Sequence, residues 1–216
     1  MLRILCLAAL VGALSTPAFA DEDISKVNGS IRVDSGRTVG ELDTVNGSIH
    51  LGDNARATEL ETVNGSIEIG DGAAVDSAET VNGRITLGAR VRVAKHVDSV
   101  NGSLVLGEGS DVSGKLSNVN GAIRLTAAHV GGGIETVNGD IEIGADSRVE
   151  GGILVDKPSF GWFNSPNKPP RVVIGPRAVV QGTLDFRQDV ELHVSESAQV
   201  GTIKGATAKR FAGDTP

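Results

Sequence analysis

The chain has 216 residues and a formal net charge of −7 at pH 7. This charge excludes nucleic acid and anionic lipid as expected partners, because both are bound through a basic face. With one Trp, five Phe and no Tyr, the chain has few aromatic rings for a sugar-binding platform. A single cysteine excludes a disulfide framework.

The first 20 residues are typical of a cleavable secretory signal peptide (1–20). Arg3 is basic, residues 4–14 are apolar, and Ala-Phe-Ala at 18–20 matches a cleavage site. The apolar run is too short for an anchor, so we expect no transmembrane segment after cleavage. Cys6, the single cysteine, lies in this leader. The predicted location of the protein is the periplasm or the exterior of the cell.

Beyond the leader, the phrase Val-Asn-Gly-Ser-Ile or a close variant occurs seven times, at steps of 18, 18, 18, 19, 19 and 18 residues. A period this short and regular predicts one small unit stacked on itself, which buries its apolar side only against its neighbours. The repeated asparagines are Asn28, Asn46, Asn64, Asn82, Asn101, Asn120 and Asn138.

Apolar residues recur four and six places after each repeated Val, and this period of two predicts strands rather than helices. We expect the Val, Gly and Ile of each phrase to point inward and the Asn and Ser outward. The Gly either leaves room where the walls approach or marks a bend, since Asn-Gly is also a tight-turn pair.

The predicted fold is therefore all-β: a single-stranded β-solenoid over residues 21–203, with about nine to ten coils of about 18 residues. Each strand pairs with its equivalent one coil away, at about 4.8 Å. Apolar residues recur at 0, 6 and 12 places from the repeated Val, a spacing that suits a left-handed helix. The 19-residue steps suit a right-handed helix instead.

A Pro-rich segment interrupts the repeat at 156–170, and we expect it to form a loop outside the wall, because proline cannot join a strand ladder. Its aromatic residues, Phe160, Trp162 and Phe163, form a candidate interaction loop or else fold back onto the wall. Coil pattern resumes at Val172, and residues 204–216 are expected to be a frayed polar tail.

Positions that recur in each coil form columns along the solenoid. The asparagines are expected to stack as a structural ladder, because amides at strand spacing hydrogen-bond along the stack. A predicted acidic column consists of Asp43, Glu61, Glu79 and Asp98. Four stacked carboxylates form either a solvated stripe or a weak Ca²⁺ site, since oxygen ligands suit that ion. We also expect an outward column of hydroxyls that begins with Thr44 and Thr62.

No catalytic constellation is found. His50, His96, His129 and His193 occupy four different phases of the coil, so symmetry does not bring them into one metal cluster. A mature chain without cysteine excludes thiol catalysis and zinc–thiolate sites. We therefore expect a protein that is not an enzyme and that needs no cofactor.

The sequence Glu-Thr-Val-Asn-Gly-Ser-Ile-Glu-Ile-Gly at 61–70 resembles the adhesin-type β-solenoid repeats of bacterial envelope proteins. The stretch 172–200 is similar to the bactofilins, a polymer-forming β-helix family. The resemblance implies a right-handed solenoid that stacks end to end. Bactofilins generally lack a cleaved signal, and the predicted leader argues against a cytoskeletal role inside the cell.

Two functional hypotheses follow. The first is a non-enzymatic structural or interaction protein of the cell envelope, which self-associates through its ends or contacts an envelope protein or polysaccharide. The alternative is a polysaccharide-acting or divalent-cation-binding protein that uses the acidic column.

Overall fold

The computed structural model describes residues 22–158 and 168–216. These residues form an all-β solenoid of about nine turns, built from stacked parallel strands, and no helix occurs among them. The predicted fold class is confirmed. Each full coil contributes one strand to each of three faces, so the solenoid is a three-sided prism whose faces are continuous parallel sheets.

The strands are numbered in chain order. The first face contains β1 (Ile24–Asn28), β3 (Leu42–Asn46), β5 (Glu59–Asn64), β8 (Ser77–Asn82), β11 (Val97–Asn101), β14 (Lys115–Asn120), β17 (Gly133–Thr136), β20 (Ile153–Val155), β23 (Leu184–Phe186) and β26 (Ile203–Lys204). The second face contains β2 (Ile31–Val33), β4 (Ile49–Leu51), β6 (Ile67–Ile69), β9 (Ile85–Leu87), β12 (Leu104–Leu106), β15 (Ile123–Leu125), β18 (Ile141–Ile143), β21 (Arg171–Ile174), β24 (Glu191–Ser195) and β27 (Lys209–Phe211). The third face contains β7 (Ala74–Val75), β10 (Arg92–Val93), β13 (Asp111–Val112), β16 (His129–Val130), β19 (Arg148–Val149), β22 (Val179–Val180) and β25 (Gln199–Val200).

The register of the sheets repeats the register of the sequence. In the pairing of β3 with β5, Leu42 lies opposite Leu60 and Asn46 lies opposite Asn64. On the second face, β4 and β6 pair Ile49 with Ile67. Identical or similar side chains therefore stack in columns. Asn-Gly pairs also occur in the tight turns of isolated hairpins, but no such hairpin occurs in the described part of the chain.

The core is a continuous aliphatic column inside the prism. Leu60 from the first face, Ile67 and Ile69 from the second face, and Val75 from the third are each buried. Burying a side chain of this size stabilises the fold by about 1.5–3 kcal/mol. Since every coil repeats this arrangement, each coil depends on the two beside it for a closed core.

The glycine of each Asn-Gly pair lies at the corner between the first and second faces, and from Gly47 onward it is closely packed against the preceding coil. A Cβ added to Gly65 would lie 1.9 Å from the carbonyl oxygen of Gly47 in the preceding coil. This distance is far below van der Waals contact, so the corner accepts only glycine. The pair therefore marks a bend between two faces, and the bend is closely packed against the coil beneath it.

A buried hydroxyl completes this corner from inside. Thr62 is 4% exposed, and its Oγ1 donates to the carbonyl oxygen of Gly47 at 2.9 Å. Thr80 donates in the same way to Gly65 at 3.1 Å. The predicted outward column of hydroxyls is wrong: these side chains point inward, because a carbonyl of the preceding coil satisfies each hydroxyl there.

The Pro-rich segment replaces an Asn-Gly corner, between β20 on the first face and β21 on the second. On the near side, the side-chain Nε2 of Gln188 donates to the carbonyl of Asp156 at 2.8 Å. On the far side, the amide of Arg171 donates to Asp140 Oδ1 at 2.8 Å. Both ends of the segment are thus attached to the wall. The candidate interaction residues Phe160, Trp162 and Phe163 lie outside the described residues.

At the C-terminal end of the solenoid, the second face ends in a charged strand. Strand β27 lies within 204–216, for which the sequence predicts a polar tail, and it pairs in parallel with β24. In this register Arg210 lies opposite the buried Val194, at the position where earlier coils have an aliphatic core residue. Arg210 Nη1 donates to the carbonyl of Ser195 at 3.2 Å.

Candidate functional site

The first face carries a shallow groove with an apolar column beside an acidic one, which we call the acid–valine groove. Pairs such as Asp43–Glu61 stack in register on adjacent strands, so each column runs along the solenoid axis. The exposed valines are Val27, Val45, Val63, Val81, Val100 and Val119. The carboxylates beside them are Asp43, Glu61, Glu79 and Asp98.

The exposure of the valines corrects the sequence analysis, which predicted them to point inward. Val63 is 41% exposed, and the other five range from 38% to 68%. On β5 the alternation places Leu60 and Thr62 inside, so Glu61 and Val63 face solvent. The expected alternation from Val to Ile fails because the Asn-Gly corner separates two strands and resets the phase.

The seven repeated asparagines form a third column, at the edge of the groove. Asn64 Nδ2 donates to Asn46 Oδ1 at 3.0 Å, and the equivalent bond joins every successive pair from Asn28 to Asn138 at 2.9–3.1 Å. Each amide at an internal position both donates and accepts within the column. The internal amides are therefore bonded to one another, and Asn138 Oδ1, at the end of the column, has no donor among the described residues.

The acidic column has an unfavourable electrostatic environment. Burial raises the pKa of Glu61 above its ordinary value, and the neighbouring charges of Glu59, Glu79 and Asp43 raise it further. Burial also raises the pKa of Asp43, followed by the charges of Glu59 and Asp23. Like charges at this spacing repel, so the groove favours any cation that approaches it.

Asp98, at the far end of the acidic column, also has a raised pKa, but cationic neighbours oppose the shift. Burial raises its pKa, while His96, the next largest influence, lowers it. The Oδ1 atom of Asp98 is inaccessible to solvent, and no donor among the described residues bonds it. Cationic side chains, His96 and Lys115, compensate its charge only in part.

The structure brings His96 to this end of the groove, which the sequence analysis did not foresee. His96 Nε2 lies 2.7 Å from Glu79 Oε1 and 4.0 Å from Asp98 Oδ2. The prediction that the four histidines occupy four different phases is wrong for one pair, because the register places His50 and His193 in the same column of the second face, with six strands between them. His96 needs no symmetry mate, because two carboxylates of the acidic column supply the other donors. The sequence feature that could have indicated this cluster is the short separation of His96 and Asp98 along the chain.

Two groups of three side chains have donor atoms close enough together to hold a metal ion, as judged over residues 22–158 and 168–216. One consists of Glu59, Glu61 and Glu79, and the other of Glu79, His96 and Asp98. The predicted Ca²⁺ residue Asp43 belongs to neither group. Glu79 is common to both, so the predicted acidic site is divided between an all-oxygen cluster and a mixed one.

A scan of the chain against protein-family models gave no match, and searches among curated proteins and solved structures gave none either. The class that the fold defines is therefore a β-solenoid repeat protein. The adhesin-type and bactofilin resemblances stay predictions. In the part of the chain that the structure describes, no helix has the length and apolarity needed to cross a membrane.

Proposed function

We propose that this protein is a non-enzymatic structural or interaction protein of the bacterial cell envelope, whose stiff solenoid presents the acid–valine groove to a partner. The observation that carries the proposal is the column of six exposed valines beside stacked carboxylates. A contiguous apolar strip on an otherwise polar surface is typical of an interaction site.

The composition of the groove indicates what kind of partner it accepts. The valines offer apolar contact along the axis, and the carboxylates offer unneutralised negative charge at the same spacing. A partner with basic and aliphatic groups in an extended arrangement complements both columns. A neutral polysaccharide is a poorer fit, because the described face carries no aromatic ring on which a sugar could stack.

End-to-end assembly, the other form of the envelope hypothesis, is favoured less by the C-terminal end. Arg210 places a guanidinium above the aliphatic column, and an inward charge at a sheet edge is a common device against further strand addition. Both ends expose unpaired strand edges among the described residues, at β1 and β2 on the N-terminal side and at β25, β26 and β27 on the C-terminal side. A polymer would therefore need to bury or displace Arg210.

Sedimentation velocity and envelope binding together test the proposal. The wild-type protein and a groove variant, Val63→Asp, are compared with Thr86→Asp, which adds the same single charge to the outward side of β9 on the second face. We expect an elongated monomer at all concentrations, together with retention on isolated envelope fractions. The groove variant should lose this retention and the Thr86→Asp control should keep it.

Two outcomes would count against the groove. If all three proteins are retained equally, the first face is not the contact surface. If the wild-type protein grows into long species as its concentration rises, the ends rather than the groove are the functional surface.

The alternative, a cation-binding role for the acidic column, is supported by the cluster of Glu59, Glu61 and Glu79. Oxygen-only donors suit Ca²⁺. Thermal unfolding with and without Ca²⁺ tests this alternative: a midpoint that does not change with Ca²⁺ would contradict it.

A further inference from the structure

Three side chains of different types converge at the far end of the acid–valine groove. Glu79 on β8 and Asp98 on β11 stack in register, and His96 immediately precedes β11. Their donor atoms all lie within 4.8 Å of one another. Each side chain is between 35% and 40% exposed, so the cluster is open to ions from solvent.

The convergence results from one extra residue in this coil. Between the third and first faces, Asp76 and Ser77 connect Val75 to Ala78, whereas three residues, 94–96, connect the equivalent Val93 to Val97. Ser77, just before Ala78, is buried in its coil. With the longer connection, His96 is displaced outward at the same point and reaches back to Glu79 of the preceding coil.

The distances from His96 to its two carboxylates bracket the ligand spacing of a bound transition metal. Ligand bonds of about 2.1 Å to a four-coordinate Zn²⁺ place ligand atoms about 3.4 Å apart. The observed distances from His96 Nε2, 2.7 Å to Glu79 and 4.0 Å to Asp98, lie on either side of that value. Side-chain adjustments of less than about 1 Å would bring both to the ligand spacing.

The second observation that points to a cation is the unpaired oxygen of Asp98. Its Oδ1 is buried without a hydrogen-bond donor among the described residues, while its Oδ2 faces His96 at 4.0 Å. An unsatisfied buried acceptor is costly, and a cation on the carboxylate compensates its charge. Lys115 is the nearest competing cation, but its Nζ is bonded to Glu135 Oε2 at 2.8 Å.

His129 provides an instructive contrast, because it also lies between two carboxylates. Its Nδ1 contacts Asp111, and its Nε2 lies 3.5 Å from Glu150 Oε1. The two acids therefore face opposite nitrogens of the ring, as in a salt bridge. At His96 both carboxylates face the same nitrogen, Nε2, and three donors can share one ion.

We propose that Glu79, His96 and Asp98 bind a divalent transition-metal ion of the Zn²⁺ class. Imidazole with carboxylates suits such ions, whereas Ca²⁺ prefers oxygen donors alone. Three protein ligands leave a coordination position open for water or for a group of a partner molecule. This site does not depend on the interaction role proposed above. It shares Glu79 and Asp98 with the predicted Ca²⁺ site, but it differs in the ion and in its third ligand, His96.

Isothermal titration calorimetry of the full chain with ZnCl₂ at neutral pH tests the site, with Co²⁺ absorption as a report on coordination. We expect one Zn²⁺ per chain. Replacing a residue that only supports a metal ligand through a hydrogen bond weakens metal affinity about 10–100-fold, and replacing the ligand itself costs at least as much. His96→Ala should therefore weaken Zn²⁺ binding about tenfold or more. His129→Ala is the matched control and should leave affinity within about twofold of wild type.

Asp98→Asn is a second variant of nearly identical shape, and it should weaken Zn²⁺ binding even if His96→Ala disturbs folding. Ca²⁺ titrations should not distinguish His96→Ala from wild type. The proposal is overturned if the wild-type protein does not bind Zn²⁺ at concentrations up to about millimolar. It is equally overturned if His96→Ala and Asp98→Asn bind as tightly as wild type, or if His129→Ala abolishes binding. None of these readouts involves an envelope partner, so they are independent of the proposed function.

Discussion

The Gly65→Ala substitution tests whether the corner glycine is required by the approach of adjacent coils. The added methyl would lie 1.9 Å from the Gly47 carbonyl oxygen, whereas ordinary contact begins at 3.4 Å. The coils must therefore separate locally by more than an ångström. Gly65 shows no positive φ, so the cost comes from this contact rather than from a strained backbone.

The magnitude follows from what the separation disturbs. Overpacking a closely packed site costs about 1–3 kcal/mol. The corner also contains the bond from the Gly47 amide to the Asn64 carbonyl at 3.2 Å and the bond from Thr62 Oγ1 to the Gly47 carbonyl at 2.9 Å. Weakening each of the two bonds costs about 1 kcal/mol, so we expect a loss of about 3–5 kcal/mol in the free energy of unfolding.

Urea denaturation followed by circular dichroism measures this loss, with the slope of the transition checked because repeat arrays can unfold in parts. Ser66→Ala, one residue further along, is the control: its backbone amide still donates to Ser48 Oγ, and it adds no atom to the corner. If Gly65→Ala costs no more than about 0.5 kcal/mol relative to Ser66→Ala, the account of the corner is refuted.

Two further predictions concern the groove and the C-terminal end. Because the pKa of Glu61 is raised in the folded protein, its carboxyl favours the fold below its ordinary value of 4.5, and this contribution is lost as pH rises through the raised value. Glu61→Gln should therefore raise the unfolding midpoint at pH 7 but not below pH 4.5, relative to the exposed control Glu108→Gln; a gain that persists in acid would contradict this. Arg210→Val removes the charge above the aliphatic column, and sedimentation velocity should then detect concentration-dependent association. A variant that stays monomeric would show that Arg210 is not what prevents association at this end.

The predicted repeat unit agrees with the structure because the fold is nearly one-dimensional. In a stack, residue n of one coil contacts residue n of the next, so the steps between Asn46, Asn64 and Asn82 translate directly into strand register. The aliphatic positions that recur with them, such as Ile67 and Ile85, are buried as the period of two implies.

The direction of Val63 and Thr62 could not be decided in the same way. Both are β-branched, and hydropathy alone assigns the Val to the inside. The structure reverses them because the Thr hydroxyl meets a carbonyl of the preceding coil, a contact that exists only when two coils are stacked. That reversal creates the exposed valine column, and so the groove could not be recognised from the pattern.

By itself, the sequence determined the solenoid class, the columns of asparagines and carboxylates, and the place where the repeat is interrupted, since each follows from local periodicity. Only the tertiary structure decided what lies on each surface. Arg210 occupies a core position of the last strand because of its register with Val194, and His96 joins Glu79 and Asp98 because one extra residue displaces it outward. Both depend on contacts between coils, and a repeat pattern specifies such contacts only where the repeat is regular.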